Sequence, residues 1–124
     1  MRQTVPLCHL DDLADGSAKG FDPQHQGSDT VFIVRSGDKV FAYEDKCPHY
    51  RGQTSLPWRK DAYLDPFGET IVCAAHGAHF EIATGLCTAG PCLGESLTRV
   101  PLQIRDDGCV LAELNDNNVG GESP

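Results

Sequence analysis

No window of this chain holds the roughly 18 consecutive apolar residues that cross a bilayer. The opening residues, Met1-Arg2-Gln3-Thr4-Val5-Pro6, lack the apolar core of a secretory signal. No membrane association is expected, and the expected location is cytoplasmic. Positive charge is also scarce: ten Lys and Arg stand against eighteen Asp and Glu, for a net charge of −8. Nucleic acids and anionic membranes select a basic face, so neither is an expected partner. Sustained helical periodicity is missing. So are a Gly-rich dinucleotide fingerprint, a P-loop and a serine nucleophile elbow. Nothing supplies a catalytic site, and the chain is read as not an enzyme.

What remains is a pattern of short strands and turns. Val31-Phe32-Ile33-Val34 is an unbroken branched and aromatic run, as in a buried strand. Ser36-Gly37-Asp38 is a hairpin turn leading into Lys39 to Tyr43, where Val40 and Ala42 oppose Phe41 and Tyr43. Thr70 to Cys73 and His79 to Ile82 are two further strands, and Thr84-Gly85 is a turn. Leu97 to Ile104 and Cys109 to Leu114 form a hairpin across Asp106-Asp107-Gly108. Val5 to Leu7 is an edge strand, Leu10 to Ala14 a possible short helix, and Gly20 to Asp29 a loop. The expected fold class is all-β, an antiparallel β-sandwich or small barrel. With 124 residues the chain makes one domain, 1–114, followed by a polar, Gly-rich, disordered tail at 115–124.

Six cysteines would suit a disulfide framework in a secreted chain. Two of them instead belong to short Cys/His pairs, Cys47-Pro48-His49 and Cys73-Ala74-Ala75-His76. The other four, Cys8, Cys87, Cys92 and Cys109, lack a framework spacing. Two loops with one thiolate and one imidazole each supply two sulfurs and two nitrogens. That set suits a [2Fe–2S] cluster in which two His replace two Cys on one iron. Tetrahedral zinc is the competing reading, although zinc modules usually present Cys-x-x-Cys knuckles and His pairs.

Both pairs, their order, Gly77 after His76, and the later Gly90-Pro91 together resemble the Rieske iron–sulfur family. The resemblance covers roughly Val31 to Leu114. It implies one [2Fe–2S] cluster per chain, held in a cluster-binding part at about 45–92. Cys47 and Cys73 would ligate one iron, and His49 and His76 the other. The loop at Gly90-Pro91 would cover the cluster. It further implies a one-electron carrier between a reductase and an oxygenase or other acceptor. The alternatives are an accessory subunit, similar to the small subunit of nitrite reductase, and an iron–sulfur redox sensor.

Departures from the family carry information. High-potential members have an extra Cys in each loop, joined as a disulfide; here Tyr50-Arg51-Gly52 and Ala74-Ala75 stand there. Ala78 and Phe80 occupy positions where those members place hydroxyls. Fewer hydrogen bonds to sulfur stabilise the added electron less, which places the potential on the order of −150 mV. Twenty-three residues (50–72) separate His49 from Cys73, an insertion that holds Trp58. Lys46, Arg51, Arg59 and Lys60 make a basic segment beside the first pair, a candidate dock for a redox partner. His79 is expected to be structural rather than a ligand. His9 and His25 are expected in solvated loops, and Cys8 and Cys109 in core packing. Cys87 and Cys92, which flank the presumed cluster cover, are expected as buried thiols, with a redox-active dithiol as the alternative.

Overall fold

The computed structural model of the chain describes residues 2–23, 25–46, 56–57, 59–74 and 77–115. The expected tail at 115–124 lies outside them except for Asn115, which ends the last strand. Trp58 also lies outside them.

The described chain forms β1 (Arg2–His9), a 3₁₀ turn (Leu10–Asp12), β2 (Ala18–Phe21), β3 (Val31–Ser36) and β4 (Lys39–Glu44). These are followed by β5 (Thr70–Cys73), β6 (Ala78–Glu81), β7 (Cys87–Ala89), β8 (Leu102–Ile104) and β9 (Cys109–Asn115). They assemble as three antiparallel three-stranded sheets, β1-β9-β8, β2-β3-β4 and β5-β6-β7. The all-β expectation holds. Among the described residues the sheets stay separate and do not close into a barrel.

The middle sheet explains the unbroken apolar run. Alternate residues of a strand face opposite sides, and here both sides are buried. Val31, Ile33 and Ala42 face a core shared with Leu13, Val100, Val110, Ala112 and Leu114. Phe32, Val34 and Tyr43 face a second core with Leu56, Tyr63, Ile71, Cys73, Phe80 and Leu97. There the Phe32 and Tyr63 rings stack, with centroids 4.1 Å apart.

Several expected elements differ in extent. The segment expected to begin a strand at Leu97 instead runs beside β4. Glu44 N–H donates to Thr98 O and Val100 N–H to Ala42 O, both at 2.9 Å. Pro101 has no N–H to continue that ladder, and the chain crosses there to pair with β9 as β8. β2 runs through part of the expected loop. Gly20 weakens the strand signal, yet a Cβ there would lie 2.5 Å from both Asp29 Oδ2 and Tyr63 Oη, so close approach selects glycine. The expected edge strand is longer than Val5 to Leu7. Pro6 is tolerated in it because β1 is an edge with a register shift between Pro6 and Cys8. His9 ends β1 rather than lying in a loop, and its exposed ring is still engaged: Nδ1 accepts from Asp11 N–H at 3.1 Å, capping the 3₁₀ turn, and Nε2 meets Asp107 O.

Candidate metal centre

Cys73 ends β5 and is fully buried. Across the β5–β6 ladder it pairs with Ala78, and Ile71 pairs with Phe80. All four sit in the second core. Between Cys73 and Ala78 the chain reverses through a tight loop, closed by Gly77 N–H donating to Cys73 O at 2.8 Å. Gly77 has φ +69°, a conformation that a Cβ would strain. The sequence thus presents one thiol at a strand end, beside a turn that only glycine closes cheaply.

Cys47, His49 and His76, with Pro48 and the 50–55 part of the insertion, lie outside the described residues. Their flanks are described, and one chain of hydrogen bonds joins them. Ala74 N–H, next to Cys73, donates to Leu56 O at 2.8 Å. Leu56 N–H donates to Asp45 Oδ1 at 2.8 Å. Asp45 Oδ2 accepts from the Tyr63 hydroxyl at 2.8 Å, and Asp45 N–H donates to Thr30 O at 2.9 Å. Tyr63 O accepts from Val72 N–H at 2.8 Å, which closes the frame on β5. Both segments that carry the Cys/His pairs are therefore pinned to each other at their bases.

Asp45 is the buried charged side chain of the described residues, at 4 % exposure. A buried carboxylate needs partners, and here it receives a backbone N–H and a phenol. Burial first, and then the adjacent Asp45 carboxylate, keep the Tyr63 hydroxyl protonated far above the ordinary phenol range. Sequence reasoning missed Asp45, because an acidic residue at a strand end beside a basic one reads as solvated. Its position two residues before Cys47 was the available signal.

His79 points the other way. It follows Ala78 in β6, so it faces the side opposite Cys73. Its Nδ1 lies 2.9 Å from Thr70 Oγ1, and it lines an open groove of about 580 Å³ with Leu64, Pro66, Val72 and Ala74. Among the described residues no group of three or more His, Cys, Asp or Glu is gathered to hold a metal ion.

The Gly90-Pro91 loop rests on the Ala78 end of β6. A Cβ on Gly90 would come within 2.7 Å of Ala78 Cα, and its φ is +103°. Leu93 on the same loop is 66 % exposed. Of the basic segment, Lys46 is exposed, but Lys60 is tied down. Its Nζ lies 3.0 Å from Asp29 Oδ2 and 2.7 Å from Asp61 Oδ1, and it donates to Gly20 O at 2.8 Å. Lys60 therefore ties β2 to the inserted segment, and its charge is met by Asp29 and Asp61. Arg51 lies outside the described residues.

The donor chemistry and its frame suit the cluster that the sequence implies. Cys73 offers a buried thiol, and the bases of both pair-bearing segments are held by backbone and carboxylate bonds. No helix of the described residues is long and apolar enough to cross a membrane. The Rieske [2Fe–2S] domain matches residues 3–106. The ferredoxin CarAc of Metapseudomonas resinovorans is 31 % identical over 88 residues, covering 71 % of this chain and 74 % of that protein. A chain from the complex of reduced oxygenase and oxidised ferredoxin in carbazole 1,9a-dioxygenase superposes with a TM-score of 0.67 at 28 % identity. That match covers 88 % of this chain and 91 % of that one. The Sphingomonas yanoikuyae B1 ferredoxin gives a TM-score of 0.68 at 28 % identity, covering 91 % of this chain and all of its own (100 %).

Proposed function

The chain belongs to the Rieske [2Fe–2S] domain family and carries electrons on a [2Fe–2S] cluster, and from that premise we propose which residues hold the cluster and where the electron goes. Cys47 and Cys73 bind one iron, and His49 and His76 the other. The observation that carries this assignment is the hydrogen-bonded chain Asp45–Leu56–Ala74, which ties the two pair-bearing segments together at their bases. Held by these four residues, a [2Fe–2S] cluster would supply one-electron chemistry.

The protein's own residues set the conditions. Two thiolates supply the negative charge, and two neutral imidazoles replace the thiolates that would make the site harder to reduce. Ala78 and Phe80 offer no hydroxyl, so the potential falls toward the low end of the Rieske range, on the order of −150 mV. Asp45, Leu56 and Gly77 hold the loop bases rigid, which keeps the geometry similar in both redox states.

The protein partners are a reductase that supplies the electron and an oxygenase or other acceptor that consumes it. The relatives support this reading, since one is a ferredoxin seen with the oxygenase of carbazole 1,9a-dioxygenase. We read the chain as an electron carrier rather than an enzyme and place its work in the cytoplasm. The test is the EPR spectrum of anaerobically purified, dithionite-reduced protein. A signal whose average g lies below that of an all-cysteine cluster is expected. A silent sample carrying stoichiometric zinc would overturn the ligand assignment and the carrier role together.

A further inference from the structure

Cys87 opens β7, and Cys92 follows Gly90-Pro91 in the turn after it. Their sulfurs lie 3.6 Å apart, and both residues are buried, at 2 % and 1 % exposure. None of the described cysteines is in a disulfide. A disulfide needs about 2.05 Å between sulfurs, so closure asks for a movement of about 1.6 Å, within reach of small side-chain rotations. The intervening Thr88, Ala89, Gly90 and Pro91 are all exposed.

We propose that Cys87 and Cys92 form a reversible thiol–disulfide site that reacts with low-molecular-weight disulfides of the glutathione class. One cysteine thiolate attacks the small disulfide, forming a mixed disulfide and releasing one small thiol. The second cysteine thiolate attacks the protein sulfur of that mixed disulfide, forming the Cys87–Cys92 bond and releasing the second small thiol. Two protein thiols lose two protons and two electrons, and the small disulfide gains both to become two thiols.

Buried sulfur is ordinarily inert, so the site must open locally. The loop is suited to that. Its ends are held by Cys87 N–H donating to Glu95 O at 2.8 Å and Glu95 N–H to Cys92 O at 2.9 Å, with a longer 3.3 Å bond from Leu93 N–H to Gly90 O. β7 is a three-residue edge strand, and Leu93 contributes little burial at 66 % exposure. Although both sulfurs are in the core, a short ladder at a sheet edge with an exposed turn beyond it opens at lower cost than a central strand. The proximity of the two sulfurs then favours ring closure over a second mixed disulfide. Because Gly90 rests on Ala78, the bond forms beside the hairpin that carries Cys73.

The experiment uses the reduced, cluster-loaded protein in glutathione buffers of rising oxidised fraction, with acid quench and alkylation under denaturing conditions. Cleavage after Glu81 and Glu95 puts Cys87 and Cys92 on one peptide and leaves Cys73 on its neighbour. The expected result is loss of both alkyl labels from peptide 82–95, replaced by a species two hydrogens lighter than the dithiol. Dithiothreitol should reverse it, and the near-ultraviolet circular dichroism of the tyrosines should stay unchanged. Retention of both labels at every glutathione ratio overturns the site. So does glutathione bound at either cysteine without the internal bond, or cross-linking that appears only as the dichroism is lost. None of these readouts depends on the ligand assignment.

Discussion

The two cores on either side of the middle sheet are built from different chemistry. The core toward β1-β9-β8 is hydrocarbon: Leu13, Val31, Ile33, Val100, Val110 and Leu114 with small alanines. The core toward β5-β6-β7 contains Tyr43, Tyr63, Cys73, Cys87 and Cys92, and the buried Asp45 lies at its edge, bonded to Tyr63 and Leu56. The first stabilises by area removed from water and constrains little else. The second uses directional bonds, which cost more to leave unmade and fix where the chain goes. Stability is shared between the two halves. The position of the site depends on one of them.

Removing the carboxylate should have the largest effect and separate the halves most clearly. Asp45→Ala leaves Leu56 N–H and the Tyr63 hydroxyl without their acceptor, a loss on the order of 4 kcal/mol. Iron content per chain should fall with it. Denaturant melts and metal analysis on the same samples would check both. Ile33→Ala in the hydrocarbon core should cost a similar amount, about 2–5 kcal/mol, yet keep its iron at temperatures where the protein is folded. Equal iron loss in the two variants would erase the distinction.

Tyr63→Phe is smaller. It keeps the stack on Phe32 and the backbone bond to Val72 and removes only the hydroxyl, for about 1 kcal/mol. The EPR linewidth should broaden if that hydroxyl holds Asp45 in place, and a spectrum identical to wild type would assign the positioning to Leu56 alone.

The smallest effects belong to the Lys60 cluster. Asp61 is partly desolvated, which alone would raise its pKa, but the Gly20 N–H and Lys60 bonds prevail and hold it below the ordinary carboxylate range. Desolvation alone would lower the Lys60 pKa, but bonds to Asp61 and Asp29 hold it above the ordinary amine range. The Asp61 contribution is present above about pH 4 and disappears as pH falls through its lowered folded value. The Lys60 contribution is present below about pH 10 and disappears as pH rises through its raised folded value. Lys60 is exposed and Asp61 half-buried, so water screens the pair and Lys60→Met should cost less than about 1 kcal/mol. It should leave the rate of reduction by the reductase unchanged, whereas Lys46→Glu should slow it at low salt only. A rate loss in Lys60→Met would return that residue to the dock.

The legible part of the proposed site was its donor chemistry. Cys73, Gly77 and the Gly90-Pro91 turn stand out in the sequence because cluster loops need a thiol and backbone conformations that only glycine adopts cheaply. Asp45 was not legible: its role depends on Leu56 and Tyr63, eleven and eighteen residues away, folding back onto it. The Lys60 cluster was half legible: Asp61 is its neighbour in the sequence, but Asp29 lies far upstream. Strands with long apolar runs were read correctly at β3 and β4. β7, a three-residue strand made by its pairing to β6, was missed.

The sequence by itself determined the family chemistry, the all-β class and the β3–β4 hairpin, because donor types, turn glycines and runs of strand-forming residues are local properties of the chain. Tertiary structure alone decided that the middle sheet is covered on both faces, that one carboxylate joins the bases of the two pair-bearing segments, and that Cys87 and Cys92 meet. Those outcomes arise from contacts between residues distant along the chain or brought together by a turn. Their strength comes from burial, which no single residue carries alone.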